Sequence, residues 1–373
     1  MKILLLAGEE SGVVYARRLR REIETAAKEP VEFKGYQDFF RTEDLGVFGI
    51  WEVLKRIFFF MKVKRTMLSL IDTWKPDVVV SVDYPGLNLR LDAYAKSKGI
   101  PAVHIVCPQV WAWHKNRIPK IPRKVTRLLC FFPFEPQIFK EYESADFSAK
   151  FIGHPMVDIF REEGNGVRAG ERGAAPPVAI LPGSRAGEIM RHMPRLVKAM
   201  RLIAARPGGA SFTIPAANAK ARRLIEKALA DGGAQDLAAI TDGGARDVLR
   251  KSDAAVVASG TATLEAALTG VPTVLVYAVG PLLAAFLRRA ITGVKHVGLA
   301  NIIAEKAGVK CPMPELLQER FTPEAVAEIV LGWLSDGEAR DAARRDLGDV
   351  MARLHSDGSA LGLAAREILS FRR

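Results

Sequence analysis

Short, continuously apolar runs alternate with helical patterns along almost all of this 373-residue chain, and this alternation constrains its fold most strongly. Apolar runs rich in β-branched residues are typical of strands that are buried on both faces of a parallel sheet. Strands that alternate with helices predict a doubly wound α/β fold. The expected strands are 2–7, 77–82, 102–106, 127–132, 178–181, 211–214, 254–258 and 273–277, and the expected helices include 13–25, 89–98, 188–203, 220–230 and 263–269.

The stretch 162–177 is rich in Gly, Pro and charge, and it divides the chain into two halves with similar patterns. The length also suits two domains rather than one. We therefore expect Rossmann-like domains at residues 1–163 and 177–340, followed by a helical segment at 341–373. Ligands of open α/β sheets bind beyond the carboxyl ends of the strands, so two facing domains would place a site in the cleft between them.

The formal net charge of +12 favours anionic partners, such as nucleic acid, acidic phospholipid or phosphorylated substrates. No nucleic-acid-binding signature accompanies it. No apolar run reaches the ~18 residues that a spanning helix needs, and residues 1–8 are too short for a signal peptide. We expect a soluble or peripheral protein on the cytoplasmic side. The three cysteines are widely spaced, which argues against a disulfide framework and for a reducing compartment.

A small, hydroxyl-rich turn, Ser259-Gly260-Thr261, follows the apolar strand 254–258 and opens a helix. The free N–H groups at a helix N-terminus suit a phosphate. Glu265, one turn into the helix, can accept two hydrogen bonds from the diol of a ribose. The turn therefore indicates a nucleotide site, although a helix merely capped by its hydroxyls would have the same pattern.

A second glycine-containing loop follows the strand 178–181. The loop 181–188 contains Gly183, Ser184 and Gly187; its glycines let the backbone approach a phosphate closely, and Arg185 can bind the phosphate bidentately. The alternative is a surface loop with a solvated arginine. Because this loop and the Ser259 turn would share one sheet edge, we favour phosphate binding.

The first half carries polar residues after its own strands. Glu9 and Ser11 lie in a tight turn that resembles a dinucleotide-binding loop only loosely, so NAD binding is weakly supported. Asp83 ends an apolar strand and can accept a proton from a hydroxyl nucleophile, or simply cap the next helix. Gln109 and Trp113 lie in a loop whose aromatic faces suit sugar rings or acyl chains, or the core.

The helix expected over residues 53–71 has Val53, Ile57, Phe60, Met61, Met67, Leu68 and Ile71 on one face, which we expect to be the core face. Phe58 and Phe59 fall on the opposite side with the cations Lys62 and Arg65. Exposed aromatic side chains among cations are typical of contact with an anionic membrane, unless a neighbouring helix or subunit covers them.

The spacing of potential ligands does not indicate a metal site. The chain has no D-x-D triplet, its six histidines show no H-x-x-x-H spacing, and its cysteines lack ligand spacing. We therefore expect no metal or other cofactor. Among the histidines we single out His154, because it lies near the expected domain boundary.

Together, and in this order, these segments resemble the lipid-A-disaccharide synthase family over nearly the whole chain. The segments that carry the resemblance are 8–12, 82–83 with Asn88, 108–113, 132–135, 151–155, 181–185, 258–265, Asn301 and 315–318. The resemblance implies a GT-B fold, with two Rossmann-like domains facing a central cleft. It also implies a peripheral enzyme of the inner membrane of Gram-negative bacteria, and it allows a homodimer that exchanges C-terminal segments.

The implied reaction is an inverting, metal-independent transfer of 2,3-diacylglucosamine from its UDP donor to 2,3-diacylglucosamine 1-phosphate, in lipid A biosynthesis. By resemblance, Asp83 is the general base and the nucleotide is held by the second-half residues. Those residues are Gly183, Ser184, Arg185, Ser259, Gly260, Thr261, Glu265 and Asn301. The residues expected to line the substrate cleft are Glu9, Ser11, Asn88, Gln109, Trp113, His154, Glu315 and Gln318.

The chain departs from the family pattern where carboxylates are usual. Val13 replaces an Asp in the first motif, and Gly86 replaces an Asp after the Asp83 unit. These changes leave two alternatives open. One is a UDP-sugar transferase with a different lipid acceptor, and the other is a catalytically weakened relative that binds UDP or lipid.

Overall fold

The computed structural model describes residues 1–8, 10–45, 57–113, 115–164, 175–281, 283–284, 289 and 293–372. The chain forms two compact units. Unit 1 comprises Met1–Asp158 together with Leu354–Arg373, and unit 2 comprises Ile159–Arg353. The last segment of the chain therefore belongs to the same unit as the first.

Unit 1 is built on a six-stranded sheet. Its strands are β1 (Lys2–Ala7), β2 (Glu32–Gly35), β3 (Val78–Val82), β4 (Ala102–Ile105), β5 (Arg127–Cys130) and β6 (Ser148–Phe151). Its α-helices up to the unit boundary are α1 (Glu10–Ala26), α2 (Thr42–Leu45), α3 (Ile57–Trp74), α4 (Pro85–Ser97), α5 (Glu135–Ile138) and α6 (Pro155–Glu162), the last of which runs on into unit 2. Short 3-10 segments lie at Tyr36–Asp38, Lys115–Lys120 and Lys140–Tyr142.

Unit 2 has a second six-stranded sheet. Its strands are β7 (Pro177–Leu181), β8 (Ser211–Ala216), β9 (Ala238–Asp242), β10 (Ala254–Ala258), β11 (Thr273–Tyr277) and β12 (Glu315–Leu317). Its helices are α7 (Ala186–Ala204), α8 (Ala219–Asp231), α9 (Ala245–Arg250), α10 (Thr261–Thr269), α11 (Leu299–Ala307), α12 (Pro323–Ser335) and α13 (Gly337–Met351). Further 3-10 segments lie at Gln235–Leu237, Gln318–Arg320 and Ala352–Leu354, and the final helix is α14 (Ala360–Leu369).

All the strand pairs in both sheets are parallel, and each sheet has one point where the strand order reverses. The order in unit 1 is β2-β1-β3-β4-β5-β6, so the reversal lies between β1 and β3. The order in unit 2 is β12-β11-β10-β7-β8-β9, so it lies between β7 and β10. The expected doubly wound α/β class is confirmed, and such reversals are where α/β sheets bind ligands.

The eight expected strands are all present, and four further strands are at the sheet edges. The strands β2, β6, β9 and β12 are three to five residues long and carry polar residues. Because an edge strand is only partly covered, it needs no continuous apolar run. These strands therefore lack the pattern that marks the central ones.

The last helix closes one face of the unit 1 sheet. Leu361, Ala364 and Ile368 of α14 are buried in the same apolar cluster as Leu19 and Ile23 of α1. This face of α1 is therefore covered by a segment from the far end of the same chain. The expected linker around 162–177 begins where α6 ends, and residues 165–174 lie outside the described part.

The core face of α3 differs from the one that the sequence predicts. Its buried residues are Val63, Met67, Leu70 and Ile71, whereas Ile57 and Met61 are 44% and 43% exposed. The core stripe has helical spacing but starts at Val63, because the first turn of α3 extends beyond the apolar cluster. Val53 lies outside the described residues.

A buried carboxyl group fixes the loop that contains Trp111 and Trp113. Trp111 Nε1 donates to Glu135 Oε1 over 3.0 Å, and the Phe132 N–H donates to the other oxygen over 3.1 Å. Burial raises the pKa of Glu135 from 4.5 to about 8, so this side chain is neutral at physiological pH.

We expect Glu135→Gln to remove a pH-dependent loss of stability. The folded state keeps the Glu135 proton to about pH 8, while the unfolded chain releases it near 4.5, so stability falls as pH rises between these values. The slope is at most about 1.4 kcal/mol per pH unit. His154 has the opposite slope, because burial lowers its pKa from 6.5 to about 3. The stability change caused by His154 is therefore complete near pH 6.5, where the unfolded chain also releases this proton.

The free energy of unfolding would therefore be measured in urea between pH 6.5 and 8, with tryptophan fluorescence as the signal. The stability of Glu135→Gln relative to the wild type should increase toward pH 8. The exposed Glu143→Gln serves as the control and should follow the wild type. Parallel pH profiles for the wild type and Glu135→Gln would contradict a neutral, buried Glu135.

Candidate functional site

The first candidate site is a pocket at the strand reversal of unit 2, here called the unit 2 pocket. Its volume is about 310 Å³. It lies beyond the ends of β7 and β10 and brings together the two loops that the sequence singles out. Its lining includes Gly183, Ser184, Arg185, Ser259, Gly260 and Thr261.

The unit 2 pocket offers an anion both backbone N–H groups and the cationic side chain of Arg185, although the Glu188 carboxylate also lines it. The helices α7 and α10 both begin at the pocket, so their free N–H groups and dipoles favour an anion there. Gly183 has φ +111°, and a Cβ at this position would lie 2.6 Å from a Glu188 carboxylate oxygen. The Arg185 side chain is largely exposed, and its Nη1 lies 3.5 Å from Glu188.

Glu265 lies outside the lining of the unit 2 pocket. One of its carboxylate oxygens accepts from Arg246 Nε over 2.9 Å, and Arg246 also pairs with Glu163. The expected contact between Glu265 and a ribose stays a prediction, with Arg246 as a competing partner. Arg246 belongs to no motif that the sequence analysis singled out, because its role depends on tertiary contacts with Glu265 and Glu163.

Asn301 lies in the interior of unit 2 and does not line the pocket. Its amide donates to the Met313 carbonyl over 2.7 Å and to Glu315 over 2.9 Å, and its oxygen accepts from the Met313 N–H. Glu315 also accepts from the N–H groups of Val297 and Gly298. Both expected ligand-binding residues therefore bind groups of the protein itself: Glu315 fixes the backbone just before α11, and Asn301 fixes the segment that follows it.

Gln318 and His192 both bind the backbone that follows β11. The Gln318 amide donates to the Val279 carbonyl over 3.2 Å and accepts from its N–H over 3.3 Å. His192 is buried, and its Nε2 accepts from the Ala278 N–H over 3.1 Å, which leaves Nδ1 to donate to the Pro182 carbonyl over 2.8 Å. His192 therefore ties the loop of Gly183 to β11, a role that its isolated position in the sequence did not reveal.

The second candidate site is a pocket of about 700 Å³ in unit 1, here called the unit 1 pocket. It lies beyond the ends of β3 and β4. Three expected site residues, Asp83, Gln109 and Trp113, line it, and Trp113 is partly exposed. Four cations that the sequence analysis did not single out also line it: Arg90, Arg117, Lys120 and Lys124.

The backbone at Asp83 has an unusual conformation that a buried side chain maintains. Asp83 and Tyr84 have φ values of 53° and 55°, in the left-handed region. Asn88 Nδ2 donates to the Asp83 carbonyl over 2.7 Å, and Asn88 Oδ1 accepts from Tyr36 Oη over 2.7 Å. Asn88 is 0% exposed and does not line the pocket, so it supports the Asp83 turn from behind, and its expected contact with a substrate stays a prediction.

Two further expected residues of unit 1, Ser11 and His154, do not line its pocket. Ser11 is exposed in the first turn of α1, and Glu9 lies outside the described residues. His154 is buried against Phe131 and Phe132, and its Nδ1 accepts from the Met156 N–H.

The two departures from the family pattern fall in different surroundings. Val13 is buried in the apolar cluster between the sheet and α1. Gly86 lines the unit 1 pocket, and a Cβ there would meet no atom within 4 Å. The pocket therefore has open space where the family usually carries a carboxylate.

One cluster in unit 1 combines groups that can ligate a metal. The thiols of Cys107 and Cys130 and the carboxyl of Glu135 lie within 4.8 Å of one another, although the cysteines are far apart in sequence. Hydrogen bonding with Cys130, together with burial, raises the pKa of Cys107, and burial raises the pKa values of Cys130 and Glu135. The geometry of this cluster also suits three neutral groups that hydrogen-bond one another.

The fold resembles those of several solved proteins, one of which is bound to a UDP-sugar. UDP-GlcNAc 2-epimerase from Neisseria meningitidis, bound to UDP-GlcNAc, superposes with a TM-score of 0.64 at 13% identity, over 99% of this chain and 100% of that one. MurG from Acinetobacter baumannii superposes with a TM-score of 0.56 at 14% identity, over 99% of each chain. The expected GT-B class, with two Rossmann-like domains, is confirmed.

Sequence comparison identifies the family. The model described as lipid-A-disaccharide synthetase matches residues 3–360. The lipid-A-disaccharide synthase of Neisseria gonorrhoeae is 35% identical over 98% of this chain and 95% of its own length. That of Aromatoleum aromaticum is 35% identical over 91% of this chain and 88% of its own length. The chain belongs to the lipid-A-disaccharide synthase family.

Proposed function

We propose that this chain transfers 2,3-diacylglucosamine from its UDP donor to the 6-hydroxyl of 2,3-diacylglucosamine 1-phosphate. The products are a β-1,6-linked disaccharide 1-phosphate and UDP. Family membership supports the reaction. The observation that carries the proposal is the unit 2 pocket, because two helix N-termini and Arg185 converge there on space for an anion.

The unit 2 pocket would hold the UDP moiety. Negative charge grows on the diphosphate as the bond to the sugar breaks, and groups already fixed around it stabilise that charge without rearrangement. Gly183, Ser184 and the Ser259–Thr261 turn would receive the phosphates, and Arg185 would pair with them. These groups supply the charge that a metal provides in other transferases, so we propose a reaction that needs no metal.

Asp83 would act as the general base in the unit 1 pocket. Its carboxylate would accept the proton of the acceptor hydroxyl while that oxygen bonds to the anomeric carbon and UDP departs. One displacement of this kind inverts the anomeric configuration. Asp83 is partly exposed and is the sole acidic side chain among the residues that line this pocket.

We expect Asp83→Asn to lower kcat by roughly 10²–10⁴-fold, because Asn keeps the shape of the side chain but does not take up the proton. Disaccharide and UDP would be measured with both substrates, in the presence of a chelator. UDP affinity should not change, since UDP is expected to bind unit 2.

The exposed Asp146→Asn is a matched control in the same unit and should behave as the wild type. A wild-type rate for Asp83→Asn would refute the assigned base. A wild type that releases no UDP under these conditions would contradict the proposed reaction itself.

Arg185→Gln should weaken UDP binding by roughly 10- to 100-fold, because a hydrogen bond to a charged group is worth ~1.5–3 kcal/mol. Isothermal titration calorimetry with UDP provides the measurement. Lys198→Gln, an exposed change on the same helix α7, is the control. Equal affinities for the Arg185 and Lys198 variants would remove Arg185 from the nucleotide site.

We propose that α3 contacts the membrane surface where the lipid substrates reside. Phe58 is 81% exposed, and it lies beside exposed Ile57, Met61, Lys62 and Arg65. Phe59, expected to share this surface, instead packs edge-to-face on Phe40 over 5.7 Å. Among the described helices, none is long and apolar enough to cross a bilayer.

Replacing Phe58 and Met61 together with Ser should weaken binding to vesicles that contain phosphatidylglycerol by about tenfold or more, because less apolar surface is buried on the membrane. Vesicle sedimentation measures the bound fraction. The control replaces two exposed apolar residues of α7, Met190 and Leu202, with Ser. Equal losses in both variants would show that this part of α3 has no special role.

A further inference from the structure

The unit 1 pocket has a strongly uneven charge. Its lining includes four cations, Arg90, Arg117, Lys120 and Lys124, but only one carboxylate, that of Asp83. A concave surface lined by charge of one sign raises the local concentration of the opposite ion. The pocket is therefore suited to an anionic ligand, although Asp83 alone would repel one.

In the described part of the chain, these cations do not form ion pairs with the protein's own carboxylates. By contrast, Arg246, Arg250 and Lys150 each do so. Burial raises the pKa of Asp92, and Lys124 is among the groups whose charge opposes this rise from a distance. Their charge is thus available to a ligand in the pocket.

Local structure directs three of the cations to one side. Arg117 and Lys120 are three residues apart in the 3-10 segment Lys115–Lys120, and residues at this spacing align along such a helix. The chain then turns through Ile121, whose carbonyl accepts from the Lys124 N–H over 2.8 Å. Ile121 is buried in the core beneath the pocket, so it anchors the segment that carries the cations.

The rest of the lining is largely apolar. It includes Leu89, Val106, Val110, Ile121 and Phe132, with the partly exposed Trp113 at the side. Cations beside an apolar wall match an amphiphile that has an anionic group and an acyl-bearing body. The volume, about 700 Å³, is in the range of ligand pockets.

We propose that Arg90, Arg117, Lys120 and Lys124 form the subsite that recognises the 1-phosphate of the acceptor. This inference rests on the proposed function, in which the acceptor binds beside Asp83 and the phosphates of UDP bind unit 2. A phosphate monoester carries about −1.5 to −2 charges near pH 7, so several cations suit it. Holding the phosphate would orient the sugar so that its 6-hydroxyl, which extends from the other side of the ring oxygen, reaches Asp83.

The test compares two acceptors that differ only in the phosphate, 2,3-diacylglucosamine 1-phosphate and 2,3-diacylglucosamine. The double variant Arg117→Gln/Lys120→Gln should raise KM for the phosphorylated acceptor at least tenfold. KM for the other acceptor should change less than about threefold. The wild-type preference for the phosphate in kcat/KM should therefore shrink in the variant.

The matched control is Lys115→Gln/Arg123→Gln. These two exposed cations belong to the same stretch of chain but do not line the pocket, so the control changes the net charge equally. It should keep the wild-type preference. If both double variants lost this preference equally, the effect would be general attraction by positive charge and not a specific subsite. If Arg117→Gln/Lys120→Gln kept the wild-type preference, the proposed subsite would be refuted.

Direct binding separates failure of the subsite from failure of the proposed reaction. The affinity of each variant for 2,3-diacylglucosamine 1-phosphate would be measured in detergent micelles without any donor. If the wild type formed no disaccharide but bound this lipid more tightly than Arg117→Gln/Lys120→Gln did, the result would support the subsite and refute the proposed reaction. Equal binding by the wild type and both double variants would refute the subsite, whatever the turnover.

Discussion

Parallel strand pairing is the constraint on which the rest of the structure depends. In each unit, every strand of the sheet runs in the same direction, so all carboxyl ends meet at one edge. A reversal of strand order there prevents neighbouring connections from filling the same space. The unit 2 pocket lies at such a reversal, and the unit 1 pocket lies beside one. Within each unit, loops that are distant in sequence therefore line a common pocket.

In unit 1, hydrogen bonding inside the core determines where the candidate base points. Two successive left-handed residues, Asp83 and Tyr84, cost roughly 1–2 kcal/mol each, because neither is glycine. Asn88 offsets this cost by donating to the Asp83 carbonyl from behind, and Tyr36 holds Asn88 in place by donating to its Oδ1. The Tyr84 ring in turn lies against Gly8, where a Cβ would be 2.7 Å from it. The glycine of the first loop thus makes room for the turn at Asp83.

The central strands and the loops that follow them could be predicted from the sequence, because both depend on local patterns. A strand covered on both faces needs a continuous apolar run, and β3, β7 and β10 have one. Gly183 and Gly260 mark turns that need positive φ. The edge strands could not be predicted, since partial exposure removes the constraint on their composition.

The roles of side chains that depend on a partner distant in the chain could also not be predicted from the sequence. Asn301 and Asn88 have side chains that suit a polar ligand, yet both are fully buried and bind groups of the protein itself. The cations at Arg117 and Lys120 are typical of a solvated surface segment. Only the path of the chain around Ile121 brings them to the side of Asp83.

The position of α14 affects the order in which the two units can be completed during synthesis. Unit 2 is one continuous stretch of chain, whereas unit 1 needs residues from both before and after it. The ribosome makes the chain from its N-terminus at roughly 5–20 residues per second. Until Leu361 and Ile368 emerge, the apolar face of α1 has no cover from α14. Unit 2 can therefore finish folding first, while unit 1 stays incomplete and vulnerable to aggregation.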